Sequence, residues 1–206
     1  MNDWYSNIHL IVRWLHVVAG ITWIGHLYFF NFVNIPLQGA LDDAAKKSVT
    51  PQLMPRALWW FRWGAMITFA AGLILFTLTY GYTPGVGFGP TSLLTDGSGL
   101  TARAMWILMG MIFGTIMWFN VWFIIWPAQQ RLLGKQVPED QIPAVRSRAT
   151  KASRMNTYLS GPMLFGMLAP AHYGAMNGLS LVIALGLGFG AIWCAYRHSG
   201  SVGKPA

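Results

Sequence analysis

The sequence predicts an all-α integral membrane protein, a single domain built as a bundle of about five transmembrane helices. Three observations predict it. The chain of 206 residues is 54% hydrophobic and only 10% charged, whereas a soluble domain carries about 25% charged residues. Its apolar residues fall in runs near the ~20 residues that a span requires. Tryptophan (11) and phenylalanine (12) are abundant, as expected for rings that pack in the bundle and anchor at the two interfaces.

The first span is placed at 8–33, the second at 57–80 and the third at 102–126. The fourth is placed at 154–171, with Gly161, Pro162 and Pro170 predicting a kink, and the fifth at 179–196. Proline is tolerated in a span where neighbouring helices satisfy the freed carbonyls. The polar segment 38–55 is expected to form a surface helix, and 81–99 a loop rich in glycine and proline. No internal repeat is evident. Gly110-x-x-x-Gly114 and Gly186-x-x-x-Gly190 permit close helix contacts.

The formal net charge of +8 reads as topology rather than as a nucleic-acid surface, because the basic residues sit in short loops between apolar runs. Lys46, Lys47, Arg56, Arg131, Lys135, Arg146, Arg148, Lys151, Arg197 and Lys204 share one side, and Arg103 lies on the other. The positive-inside rule then sets the N-terminus outside and the C-terminus in the cytoplasm. The one cysteine, Cys194, excludes an internal disulfide, a CxxCH haem-attachment site and cysteine-rich metal sites. The first apolar run is too long, and too polar on one face, for a cleavable signal peptide. No Asp or Glu lies within a span, which argues against a proton-driven transporter.

Ionisable groups inside a span are costly and are read first as functional. The first span holds His9, Arg13, His16 and His26. At ~100° per residue, His9, Arg13, His16, Gly20 and Trp23 share one face. A single buried histidine is more often a hydrogen-bonded core residue than a ligand. Two histidines and an arginine on one stripe shift that balance, and Gly20 leaves room beside an imidazole for a porphyrin face. His172 ends the fourth span on the predicted outer side, where it can meet His16, or His9 if the fourth helix ends early. Two histidines on facing helices suit the iron of a b-type haem, with Arg13 beside a propionate. His26 lies about 15 Å deeper than His16 and is the candidate ligand of a second haem, or simply a hydrogen-bonded residue. His198 is read as a solvated end residue, and Asn120 as an interhelical hydrogen-bonding group.

Three stretches carry a family resemblance. They are Trp14-Leu-His-Val-Val-Ala-Gly-Ile-Thr-Trp-Ile-Gly25, Met117-Trp-Phe-Asn-Val-Trp-Phe-Ile-Ile-Trp-Pro127, and Asn156-Thr-Tyr-Leu-Ser-Gly-Pro-Met-Leu-Phe165 followed by Ala171-His-Tyr173. Together they resemble the membrane domain of bacterial membrane-bound urate oxidase, a family joined to a cytochrome c. The resemblance implies a multi-pass oxidoreductase of the bacterial inner membrane that passes electrons to a cytochrome c, and it supports His16 and His172 as the matching histidines. That family has further spans and a cytochrome c domain, which are expected to be missing here. The expected function is therefore a membrane b-type haem protein in electron transfer. Its expected partners are the bilayer, a cytochrome c or another electron-transfer subunit, and a second copy of the chain. The alternatives are a porphyrinogen oxidase-like enzyme and a cofactor-free metal-binding or packing subunit.

Overall fold

The computed structural model describes residues 3–203; Lys204, assigned above to the basic side, lies outside them. The chain forms two long helical hairpins and a closing helix. In the first hairpin, α1 (Trp4–Tyr28) runs through a π-helical segment, Phe29–Asn34, into the short α2 (Ile35–Ala40) and returns as α3 (Asp43–Tyr80). In the second, α4 (Ala102–Phe119) runs through a π-helical segment, Asn120–Ile125, into α5 (Trp126–Leu133) and returns as α6 (Ile142–His172). Helix α7 (Gly178–Ser199) closes the bundle. Between the hairpins lie two tiny antiparallel ribbons, Tyr82–Thr83 with Gly87–Phe88 and Thr95–Asp96 with Gly99–Leu100.

Both hairpins widen at the same place for the same reason. Pro36 and Pro127 are each the second residue after a π-helical segment. A proline has no N–H, and its ring collides with the carbonyl four residues back. Widening the turn to a longer hydrogen-bond register relieves that collision without breaking the rod. In α3, Pro51 and Pro55 instead fall four apart on an exposed face, where water can take the carbonyls they leave unpaired. Of the segment 38–55, expected as a surface helix, residues 38–40 end α2 and 43–55 are the beginning of α3.

Four helical stretches are long and apolar enough to cross a membrane: Trp4–Ala40, Asp43–Tyr80, Ala102–Leu133 and Gly178–Ser199. The sequence placed a further span at 154–171. The structure forms a helix there, but no 18-residue stretch of α6 is apolar enough to qualify. Its basic first half carries Arg146, Arg148, Lys151 and Arg154. Its second half turns Asn156, Thr157 and Ser160 inward, where they are fully buried. Helix α6 packs chiefly on α4, α5 and α7 and touches α1, and a helix shielded by protein can carry polar groups that lipid would reject.

Those polar groups pair with one another. Asn120 donates from Nδ2 to Asn156 Oδ1 at 2.7 Å, and Asn156 donates to Met117 O at 2.9 Å. Tyr28 Oη lies 2.9 Å from Ser160 Oγ. Asn31 donates to Leu27 O and Ser153 Oγ, and accepts from Tyr196 Oη, each at 2.9 Å. These bonds cross-link α1, α4, α6 and α7 around a core of Leu27, Phe61, Met117 and Val121. A second, smaller core of Trp106, Ala169 and Ala184 joins α4, α6 and α7 at the opposite end.

Glycine decides which helices touch closely. Gly110 and Gly166 meet backbone to backbone, so a Cβ on Gly166 would stand 2.8 Å from Gly110 N. On α7 the contact glycine is Gly188, packed on Gly161 and Pro162 of α6. Gly186 and Gly190, the pair expected to make contact, face open space with nothing within 4 Å. Two residues on a helix are a rotation of ~200°, so Gly188 necessarily faces the other way.

Candidate functional site in the groove between α1 and α3

The polar stripe of the first helix lies against α3. Tyr5 donates from its hydroxyl to Leu78 O. His9 Nε2 is 2.9 Å from Thr79 Oγ1. His16 Nδ1 is 2.8 Å from Thr68 O. Trp23 is buried where the α1 backbone, at Ala19 O and Trp23 N, approaches Gly64 of α3. This antiparallel register follows from small residues: Gly64 admits the α1 backbone, and Gly72 admits the imidazole of His16.

Gly72 was not singled out in the sequence. A Cβ there would stand 3.0 Å from His16 Cε1 and 3.3 Å from its Nδ1. Gly20, expected to open space beside the ring, instead faces the Thr68 side chain, whose Cγ2 would lie 3.8 Å from an added Cβ. Thr68 O can accept from His16 as well as from its own helix because a carbonyl has two lone pairs; the Thr68 hydroxyl donates back to Gly64 O at 2.7 Å. The hydrogen bond to Thr68 O requires the Nδ1–H tautomer of His16, since a carbonyl only accepts. That leaves Nε2 with its lone pair available. His26 has the same arrangement within its own helix, with Nδ1 2.7 Å from Thr22 O. His9 is the reverse case, its Nε2 engaged by Thr79.

The other predicted residues are more dispersed. Arg13 is exposed and lines a shallow cavity of about 260 Å³ with Tyr5, Ser6, His9 and Leu10. His172 is exposed at the last residue of α6, near the end of the bundle where Trp106 donates from Nε1 to Ala175 O at 2.9 Å. His16 is thus held by α3, and His172 is carried by the helix that packs on α4 and α7. His198 is exposed at the end of α7. Among the described residues no group of three or more His, Cys, Asp or Glu side chains could hold a metal ion.

Arg62 was missed altogether. It lies inside the span predicted at 57–80, in the run Trp59-Trp60-Phe61-Arg62-Trp63. An arginine within an apolar run was the available signal. Its guanidinium carbon stands 3.9 Å from the Trp126 ring centre, 5.3 Å from that of Trp122 and 5.5 Å from that of Trp63.

A model of the urate oxidase N-terminal family matches residues 91–199, more than half of the chain. No curated protein and no solved structure matches it.

Proposed function

From membership of the urate oxidase N-terminal family, to which this chain belongs, we propose that the protein is a membrane b-type haem protein working in electron transfer. The family takes its name from an oxidase, so the relation is to an oxidoreductase. The observation that carries the reading is His16. Its Nδ1 is fixed on Thr68 O, which orients the ring and leaves Nε2 as the nitrogen free to bind iron. A backbone carbonyl on the second ring nitrogen is the usual companion of a metal-ligating histidine, and it raises the basicity of the ligating one.

The residues present fit a haem on these terms. His16 and His172 would hold the iron, and Gly72 keeps a side chain off the His16 ring. Arg13, exposed near the same end as His9, would balance a propionate. His9 is the lesser candidate ligand because Thr79 already engages its Nε2. His26, with Nε2 unengaged, is the proposed ligand if a second haem is bound. Haem supplies a one-electron carrier when bound. Its redox partner would be a cytochrome c or another membrane subunit, with the N-terminal end of the bundle facing outward.

The test is the absorbance spectrum of the purified protein. Wild type is expected to show a Soret band and a reduced α-band of b-type haem. His16→Ala is expected to lose the haem or turn it high-spin, and Gly72→Leu to do the same by pushing the His16 ring out of place. His9→Ala is expected to leave the spectrum unchanged. Unaltered haem in His16→Ala and His172→Ala would overturn the ligand assignment, and the lack of any Soret band in wild type would overturn the function.

A further inference from the structure

We propose that Arg62 and Trp122 hold the phosphate of an anionic phospholipid between α3 and the α4–α5 rod. The argument starts from donors that lack acceptors. Arg62 Nε and Trp122 Nε1 are both buried without a hydrogen-bond partner, and both side chains belong to one cluster, since the guanidinium lies over the Trp122 ring. Trp63, Trp122 and Trp126 satisfy the faces of the guanidinium through cation–π contact. They cannot satisfy its edges, because every N–H of a guanidinium points outward in the ring plane and needs an acceptor there. A buried donor left unpaired destabilises the fold, and such a group calls for a partner, a water or an ion; Trp23 Nε1 and Trp118 Nε1 are also unpaired, but only in the Arg62 and Trp122 pair does an unpaired donor belong to a cation.

The acceptor is an anion. Among the described residues the single salt bridge is Lys46 with Asp43, far down α3 on its exposed first turn. The acidic residues are Asp3, Asp42, Asp43, Asp96, Glu139 and Asp140; the one within α3, Asp43, stands in its first turn, nineteen residues before Arg62. Arg62 therefore has no carboxylate to neutralise it, although it stands in an apolar segment where an unpaired charge is costly. A phosphate oxyanion matches a guanidinium edge in a two-point contact that lysine cannot reproduce, and the indole N–H of Trp122 adds a further donor.

The source of that phosphate is a lipid. Trp59, Trp60 and Trp63, on the same turns as Arg62, are exposed on the outer surface of the bundle. Tryptophans so placed mark the headgroup level of a bilayer. This is also the end that carries most of the Lys and Arg residues, among them Arg56, Arg131, Arg154 and Arg197. Basic sites between transmembrane helices at such an end suit anionic headgroups. The inference is independent of the haem reading.

The test uses the full chain purified in detergent and stripped of lipid. Its Tm is measured with added phosphatidylglycerol, phosphatidylcholine or inorganic phosphate, and lipid retention is read by native mass spectrometry. Wild type is expected to gain Tm and retain phosphatidylglycerol, with little response to the other two. Arg62→Gln is expected to weaken phosphatidylglycerol binding about tenfold or more, the effect of losing a charge-assisted hydrogen bond. Trp122→Phe keeps the aromatic face but not the donor, and is expected to weaken it less. Should Arg62→Gln fail to fold, Arg62→Lys with Trp122→Phe decides, since lysine keeps the charge and loses the planar edge. An equal response to inorganic phosphate would overturn the lipid assignment in favour of a soluble anion. Equal phosphatidylglycerol binding by wild type and the variants would overturn the site.

Discussion

Helices α6 and α7 meet where Gly161 and Pro162 face Gly188, and a single methyl group there should loosen the bundle. A Cβ on Gly188 would stand 2.5 Å from Pro162 N, 2.8 Å from Pro162 Cδ and 2.9 Å from Gly161 C. Ordinary contact begins near 3.4 Å, so the helices must part by about 1 Å. All of the opposing atoms belong to backbone or a proline ring, so no side chain can rotate away. A gap of that size forfeits a quarter to a half of the dispersion energy along the seam. Overpacking of this kind costs about 1–3 kcal/mol. Replacing glycine within a helix returns up to ~1 kcal/mol of propensity; with only rigid atoms opposite, the cost sits at the top of that range and the net loss is about 2 kcal/mol. Set against a total of about 5–15 kcal/mol for a typical protein, the loss is easily measured. The assay is reversible unfolding in mixed detergent micelles, followed by circular dichroism. Gly186→Ala is the control, on the same helix with nothing within 4 Å of its added Cβ, and is expected to be neutral or slightly stabilised. Equal stability of Gly188→Ala and Gly186→Ala would refute the contact.

Asn156→Leu strands the Asn120 amide and Met117 O and is expected to cost about 1–3 kcal/mol; the double change with Asn120→Leu should recover part of it in the same unfolding assay. Asp96 accepts from Ser98 Oγ at 2.6 Å and Ser98 N at 2.9 Å, bonds that hold its carboxyl below the ordinary range, the side-chain bond most. Its contribution to the ribbon is thus present above the unfolded value of about 3.9 and disappears as pH falls through the lower folded value. Limited proteolysis of the 81–99 loop should quicken in that acidic window for wild type, whereas Asp96→Ala should be cut at one rate throughout. The proposed orientation is checked with Ser147→Cys in a Cys194→Ala background, because Cys194 is itself exposed. Labelling of the new thiol by an impermeant reagent added outside intact cells would reverse it.

Composition and apolar run length were enough to settle the membrane class, the all-α fold and the approximate place of each long helix, because a bilayer leaves the backbone few other ways to satisfy its hydrogen bonds. The family was legible in Met117–Pro127 and Asn156–Phe165, which lie within the matched segment. Helical periodicity also put His9, Arg13, His16, Gly20 and Trp23 on one side of α1. It could not say what that side meets. Tertiary packing turned His9, His16, Gly20 and Trp23 to α3, put Gly72 rather than Gly20 against the imidazole, and chose Gly188 over Gly186 and Gly190 as the contact on α7. Periodicity reports the angle of a residue about its own axis. The neighbour at that angle depends on how two rods are rotated and shifted against each other, and backbone approach at a few glycines sets that. Arg62 shows the same divide: its place within an apolar run was readable, but its three tryptophan neighbours come from two helices some sixty residues apart, and only their packing leaves its Nε buried and without an acceptor.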